Sequence, residues 1–342
     1  MDIASLAPME MRSVATIPGG PGWLYEPKWD GFRCLAHRDG SDVRLVSKAG
    51  QPLARYFPEI VAQLKALSSE RFSLDGELVV AHAGALSFDA LQQRVHPAAS
   101  RVAMLARTTP ALYLLFDLLR EDDRLLVDVP LRERRVRLEA FAAQTRATPS
   151  LRLSPATRER SVVYDWFARV GGALDGVIAK QLDAPYASGR SDAAVKVKKS
   201  RTADCVIGGF RYAVGTTDRV GSLLLGLYDA SGLLDYIGFC SAFPADERRA
   251  LVERLTPFAG GTGFTGGAPG DTPSRWNRDP ARDRSYVALA PNLVLEVAFD
   301  QVTGGRIRHG TKPVRWRLDK TPAQCTLEQL VVSGEALRLL AE

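Results

Sequence analysis

Lysine is scarce in this chain: nine of its 45 basic residues are lysine and 36 are arginine. Cysteine and histidine are scarcer still, with four of each. Cys34, Cys205, Cys240 and Cys325 lie far apart with no CxxC pair, which argues against zinc and against a disulfide framework. The histidines show no metal-ligand spacing. No apolar run approaches the ~18 residues of a membrane span, and the first twenty residues carry Asp2, Glu10 and Arg12, unlike a signal peptide. A cytoplasmic protein with no membrane partner is expected. There is no Gly-Lys dipeptide, so a P-loop is excluded as a nucleotide site. One GxGxxG match, at Gly261, Gly263 and Gly266, lacks the preceding strand and following helix of a dinucleotide fingerprint.

What is present is core-forming material: 46% apolar residues over 342, enough for two domains. The net charge is +6, and its distribution is uneven. Residues 176–201 hold Lys180, Arg190, Lys196, Lys198, Lys199 and Arg201; residues 301–320 hold Arg306, Arg308, Lys312, Arg315, Arg317 and Lys320 against the single acid Asp319. Two basic stretches fit a nucleic-acid partner better than a diffuse excess does; two solvated faces are the alternative.

The scarcity of lysine gives the remaining lysines meaning. A guanidinium stays protonated, whereas an ammonium can lose its proton and attack an electrophile. Lys28, in EPKWDGFR (26–33), is the first candidate nucleophile. Taken alone, the tetrapeptide KWDG also suits a surface lysine in a strand-edge turn.

The patterning suggests a hairpin over 32–47 around Asp39-Gly40, a helix over 57–67, a second hairpin over 72–88 with Gly84 in its turn, and a buried strand at 111–119. Helices over 130–144 and 156–170 precede a strand at 173–180. Beyond residue 200 come strands at 204–210 and 292–300, a hairpin over 223–240 around Ser231-Gly232, and a helix at 246–255. Short strands with one helix suit a small nucleic-acid-binding β-barrel. The expected domains are 1–200 and 201–342, with a hinge at Lys199–Ala203.

Downstream of Lys28 come LDGEL (74–78), YLLFDLL (113–119), LDGVIAK (174–180), AVKVKK (194–199) and RWRLDK (315–320). Lys28, Lys48, Lys180, Lys196, Lys198 and Lys320 fall in or beside these segments. In order and spacing the set resembles the motifs of the covalent nucleotidyltransferases, and most closely the small bacterial ATP-dependent DNA ligases of end joining and repair. The resemblance covers nearly the whole chain. It implies an α+β nucleotidyltransferase domain of antiparallel sheets with flanking helices, followed by an OB-fold β-barrel.

The resemblance further implies ATP and Mg²⁺ (or Mn²⁺) as cofactors and lysyl-AMP formation on Lys28. Nicked double-stranded DNA is the implied substrate, with end-joining or repair proteins as possible partners, and the monomer at the nucleoid is the default. Glu26, through its backbone carbonyl, Arg33, Lys48, Phe116 and Arg190 are implied in ATP binding. Glu77 and Asp175 are implied for ribose and metal, and Lys180, Lys196 and Lys198 for the phosphates. Arg317, Asp319 and Lys320 are implied in orienting pyrophosphate. Each has a plainer alternative: Phe116 as core packing, Glu77 and Asp175 as turn residues, and Lys196/Lys198 as a half-exposed strand. Three departures stand out: Asp175 where Glu is usual, Lys48 where Arg is usual, and Ala194 in place of an aromatic. Two further readings stay open, an RNA ligase or capping guanylyltransferase and a binding protein that has lost catalysis.

Overall fold

The structure, a computed structural model, describes residues 3, 6–82, 84–143, 148–168, 174–198, 201–269, 285–307, 310–331 and 334–340. The chain divides into two compact units, one of residues 1–199 with 332–342 and the other of 200–331. The sequence suggested a single boundary near 200. The closing segment groups instead with the first unit, because Leu339 is buried in a core that also contains Ile17, Val79, Leu86 and Trp166.

The first unit is built on two sheets. The smaller contains β1 (Met9–Ser13), β2 (Trp23–Trp29), β10 (Leu174–Gln181) and β11 (Gly189–Lys198), in the order β1-β11-β10-β2. The larger contains β3 (Phe32–Asp39), β4 (Asp42–Ser47), β5 (Arg71–His82), β7 (Ala111–Glu121) and β8 (Arg124–Leu125), in the order β4-β3-β5-β7-β8. Short strands β6 (Ala85–Leu86) and β9 (Leu151–Leu153) join β5 and β7. Pairing is antiparallel except for β1 on β11 and β9 on β7. The 32–47 hairpin forms with Gly40 at φ 60° in its turn, and the second hairpin has a two-residue return arm.

Helices α1 (Pro58–Lys65), α2 (Phe88–Arg94), α3 (Ala99–Thr108), α4 (Leu131–Ala143) and α5 (Arg160–Ala168) flank these sheets. Two ion pairs tie three of them in place. Arg94 on α2 grips Glu59 on α1, and Arg134 on α4 makes a two-pronged pair with Asp117 on β7, both bonds at 2.9 Å.

In the second unit, β12 (Arg201–Tyr212), β13 (Val220–Tyr228), β14 (Leu234–Cys240), β16 (Val294–Phe299) and β19 (Lys312–Trp316) follow the order β14-β13-β12-β16-β19. A bridge between Cys240 and Thr311 joins the two ends of that order, which closes the sheet into the OB-type barrel. Short β15 (Val287–Ala288) pairs with β12, and β17 (Val302–Thr303) pairs with β18 (Arg306–Ile307). Helix α6 (Glu247–Leu255) buries Leu251 and Leu255 in the barrel core. The glycines of the GxGxxG match lie on a loop packed against this barrel, where Gly263 N–H donates to Leu289 and Gly266 N–H to Leu234. The match is therefore structural.

Of the expected hinge, Lys199 and 200 lie outside the described residues, and Arg201–Ala203 are already part of β12. Arg308 of the second basic stretch also lies outside them. All four cysteines are buried and unpaired with one another.

Candidate active site

Lys28 stands on a strand, not in the strand-edge turn that KWDG also allowed. Pro27 is tolerated within β2 because β2 is an edge strand, where a missing N–H costs no ladder bond. Alternation along β2 sends Tyr25 and Trp29 into the core, and Trp29 Nε1 donates to Ser154 Oγ at 2.9 Å. Glu26 and Lys28 take the opposite face. Register then builds two rows across the small sheet. Glu26, Ile178 and Lys196 form one, and Lys28, Gly176 and Lys198 form the other. The alternation of Lys196 and Lys198 with buried Val195 and Val197 is as the sequence suggested.

Two glycines make room for this arrangement. Gly176 has φ 142°, and a Cβ there would lie 2.0 Å from the Val197 carbonyl oxygen. A Cβ on Gly31 would lie 2.2 Å from the Leu78 carbonyl oxygen and 2.8 Å from Glu77 Cγ, so this glycine admits the Glu77 side chain. The register break between Leu174 and Gly176 leaves Asp175 without a partner on β2 and frees its side chain to turn toward the lysines.

An open cavity lies on this face. Glu26, Lys28, Ile178, Lys180 and Lys196 line it from the small sheet, and Arg33, Lys48, Glu77 and Phe116 line it from the other side. Lys28 Nζ donates to Asp175 Oδ2 at 2.6 Å, with Lys198 Nζ 3.4 Å from the same oxygen. Lys180 Nζ donates to the buried Glu26 at 2.8 Å. Both Lys180 and Arg33 lie over the Phe116 ring, 5.5 and 5.1 Å from its centroid. Phe116 is thus a core residue that also forms the cavity wall. Arg33 is held by Asp75 through two bonds of 2.5 Å.

The electrostatics are those of an anion site with one strained acid. Burial lifts the Glu77 carboxyl to about 7 against the opposing pull of Arg33 and Lys28. Burial, followed by the charges of Lys28, Lys198 and Lys48, lowers the Lys196 ammonium, with Asp175 opposing. For Arg33, burial works against the charge, but Asp75 outweighs it and holds the guanidinium protonated. Among the described residues no group of three or more His, Cys, Asp or Glu could enclose a metal. A Mg²⁺ ion that takes most of its oxygens from phosphate and water needs only one or two carboxylates. Glu77, whose half-buried carboxylate lacks sufficient neutralising charge, and Asp175 suit that role.

Not every expected residue reaches the cavity. Lys198 and Asp175 are adjacent to Lys28 but do not line it, and Arg190 is exposed on β11 opposite Glu10. Arg317, Asp319 and Lys320 form their own cluster within the second unit. Arg317 grips Asp204 at 2.8 Å to each oxygen and also pairs with Asp319, while Lys320 donates to Asp204 at 2.7 Å. The second basic stretch therefore carries less uncompensated charge than its residue count suggests, with Arg315 paired to Glu296 as well.

Several residues at the cavity and around Arg317 were not singled out by the sequence. Met9, Glu10 and Met11 on β1 line the cavity, and Glu10 pairs with Lys48 at 3.0 Å, which holds its carboxyl below the usual carboxylate range. Five residues reading MEMRS alternate over too short a run to mark a strand. Asp204, the partner of Arg317, follows the expected hinge and had no signal either.

The chain matches the family model "ATP dependent DNA ligase domain" over residues 5–198 and "ATP dependent DNA ligase C terminal region" over 216–320. DNA ligase C2 of Mycolicibacterium smegmatis is 43% identical over 339 residues, covering 95% of this chain and 94% of that protein. DNA ligase C of Mycobacterium tuberculosis is 42% identical over 343 residues, covering 95% and 93%. A solved structure, mycobacterial DNA ligase D complexed with ATP and MES, superposes with a TM-score of 0.50 at 29% identity, covering 95% of this chain and 99% of that one. These matches decide against the RNA-directed and binding-only alternatives. With a lysine nucleophile candidate in a cationic cavity and two ligase models spanning its units, the chain belongs to the ATP-dependent DNA ligase family.

Proposed function

We propose that this ATP-dependent ligase joins 5′-phosphate and 3′-hydroxyl ends at nicks in double-stranded DNA through AMP carried on Lys28. The observation that carries the reading is the position of Lys28 Nζ, at the wall of a cavity lined by Lys48, Lys180, Lys196 and Arg33. Nζ leaves Asp175, releases a proton to solvent and then attacks the α-phosphorus of ATP. A P–N bond forms as the bond to pyrophosphate breaks. The 5′-phosphate of the nick next takes AMP from the lysine, and the 3′-hydroxyl finally displaces AMP to form the phosphodiester. Each step moves negative charge onto oxygen, so fixed cations supply much of the stabilisation.

In this reading Phe116 gives the base an apolar face and Glu26 presents its carbonyl to the base edge. Arg33 and Glu77 contact the ribose end. Lys48, Lys180, Lys196 and Lys198 hold phosphate, with Arg190 nearby. Arg317 and Lys320 exchange Asp204 for pyrophosphate, with Asp319 keeping Arg317 oriented. Mg²⁺, held by Glu77 and Asp175, would neutralise phosphate charge. The relatives named for non-homologous end joining, such as LigD of Pseudomonas aeruginosa at 34% identity, support a place in repair or end joining; a nucleoid location and partners that bind DNA ends belong to the same reading.

The test is sealing of a singly nicked duplex with ATP and Mg²⁺. Sealing that requires a 5′-phosphate, with AMP–DNA accumulating when the 3′ end lacks its hydroxyl, is the expected outcome. Sealing of a 5′-hydroxyl end would contradict the reading.

A further inference from the structure

We propose that Tyr186 is a positioning residue of the nucleotide site, whose single hydroxyl fixes both the Arg33 guanidinium and the cavity wall carried by β1. The inference rests on the reading that Arg33 contacts bound nucleotide.

Tyr186 is buried at 5% exposure, outside the cavity lining. Its hydroxyl donates to Asp75 Oδ2 at 2.8 Å and accepts the Met9 N–H at 3.0 Å. A phenol has one proton to give, and that proton is committed to Asp75. Burial, followed by the adjacent Asp75 carboxylate, keeps Tyr186 protonated and so keeps it a donor. Asp75 Oδ2 is the oxygen that also receives Arg33 Nη2. The tyrosine thus fixes the plane of the carboxylate from one side while Arg33 docks on it from the other. A carboxylate whose plane is set leaves a two-pronged guanidinium one orientation, and that orientation lays Arg33 over Phe116.

The second arm of the hydroxyl acts on β1. This strand has five residues and lies at the edge of its sheet, and its register breaks between Met11 and Arg12. Its entry is gripped by side chains: Met9 N–H by Tyr186, and Ala7 by Ser188, whose hydroxyl bonds both the N–H and the carbonyl of Ala7 at 3.0 and 3.1 Å. Pro8, Met9, Glu10 and Met11 form cavity wall immediately beyond that grip. The tyrosine ring is itself anchored, with Arg134 over it at 5.9 Å and Arg134 buried on Asp117. A fixed ring therefore presents one hydroxyl to two walls of the same site.

Tyr186→Phe removes both bonds and keeps the ring. The expected result, in single-turnover lysyl-AMP formation, is a KM for ATP raised roughly tenfold, equivalent to about 1.4 kcal/mol, with little change in the rate at saturating ATP. A tyrosine that served only packing would lower the melting temperature and leave KM in place. Because Tyr186 acts partly through Arg33, its effect on KM should shrink in an Arg33→Met background. Unchanged KM in Tyr186→Phe, or fully additive effects in the double variant, would overturn the proposal while Arg33→Met alone still raises KM. An Arg33→Met variant with unchanged KM would instead refute the nucleotide contact on which the proposal stands.

Discussion

Glu77→Gln should stabilise the ligand-free protein, and by an amount that depends on pH. The Glu77 carboxyl is lifted from an ordinary 4.5 to about 7, first by burial, against the pull of Arg33 and Lys28. Between those values the folded protein holds a proton that the unfolded chain releases, so stability falls as pH rises through the window. The contribution is nearly absent below pH 4.5 and fully expressed above pH 7. Linkage over that interval gives a deficit of about 1 kcal/mol at pH 5, about 2 at pH 6 and about 3 at pH 7. Glutamine keeps the shape of the neutral acid and carries no titration, so it should recover most of this deficit. Urea denaturation of wild type and Glu77→Gln at pH 5, 6 and 7 would read the difference directly. A gap that widens with pH supports the reasoning; a gap that is constant, or a variant less stable throughout, refutes it. The same residue would then trade folding stability for a carboxylate kept ready for a cation.

Arg94→Ala should cost about 3–5 kcal/mol in urea denaturation, because it strands Glu59 beside a fully buried void. Gly176→Ala should destabilise the first unit by several kcal/mol, since no movement short of separating β10 from β11 relieves a 2.0 Å contact with a backbone carbonyl; a melting temperature within a degree or so of wild type would contradict the geometry. Nick affinity should fall steeply between about 50 and 200 mM salt, and a flat response in gel-shift titrations would count against phosphate contacts by the basic stretches.

The parts of the site legible in sequence are those where chemistry and local pattern coincide. AVKVKK alternates, so its strand and the shared direction of Lys196 and Lys198 follow from a period of two. Gly40 and Gly84 mark turns for the same reason they occupy them, a positive φ. The strand in EPKWDGFR was not legible, because proline inside a short run argues against a strand and only the edge position of β2, a property of the whole sheet, allows it. α2 and α3 escaped notice because they bury only two residues each, Leu91 with Arg94 and Val102 with Leu105, and so leave little periodic signal. Asp75, Tyr186 and Asp204 act through partners 42 to 113 residues away, at Arg33, Asp75 and Arg317. Nothing local distinguishes such residues before the fold brings them together. Asp175 shows both sides: its motif was readable, but its hold on Lys28 and Lys198 depends on a register break in β10.

The central claim is that Lys28 carries AMP, and peptide mapping tests it most directly. Wild type, Lys28→Ala and Lys28→Arg are incubated with α-labelled ATP and Mg²⁺, denatured, digested and read by mass spectrometry. Label confined to the peptide containing Lys28, and absent from both variants although Arg preserves the charge, is the result expected from a nucleophile that must shed its proton. Label retained by either variant, or found on another lysine such as Lys196, would contradict it.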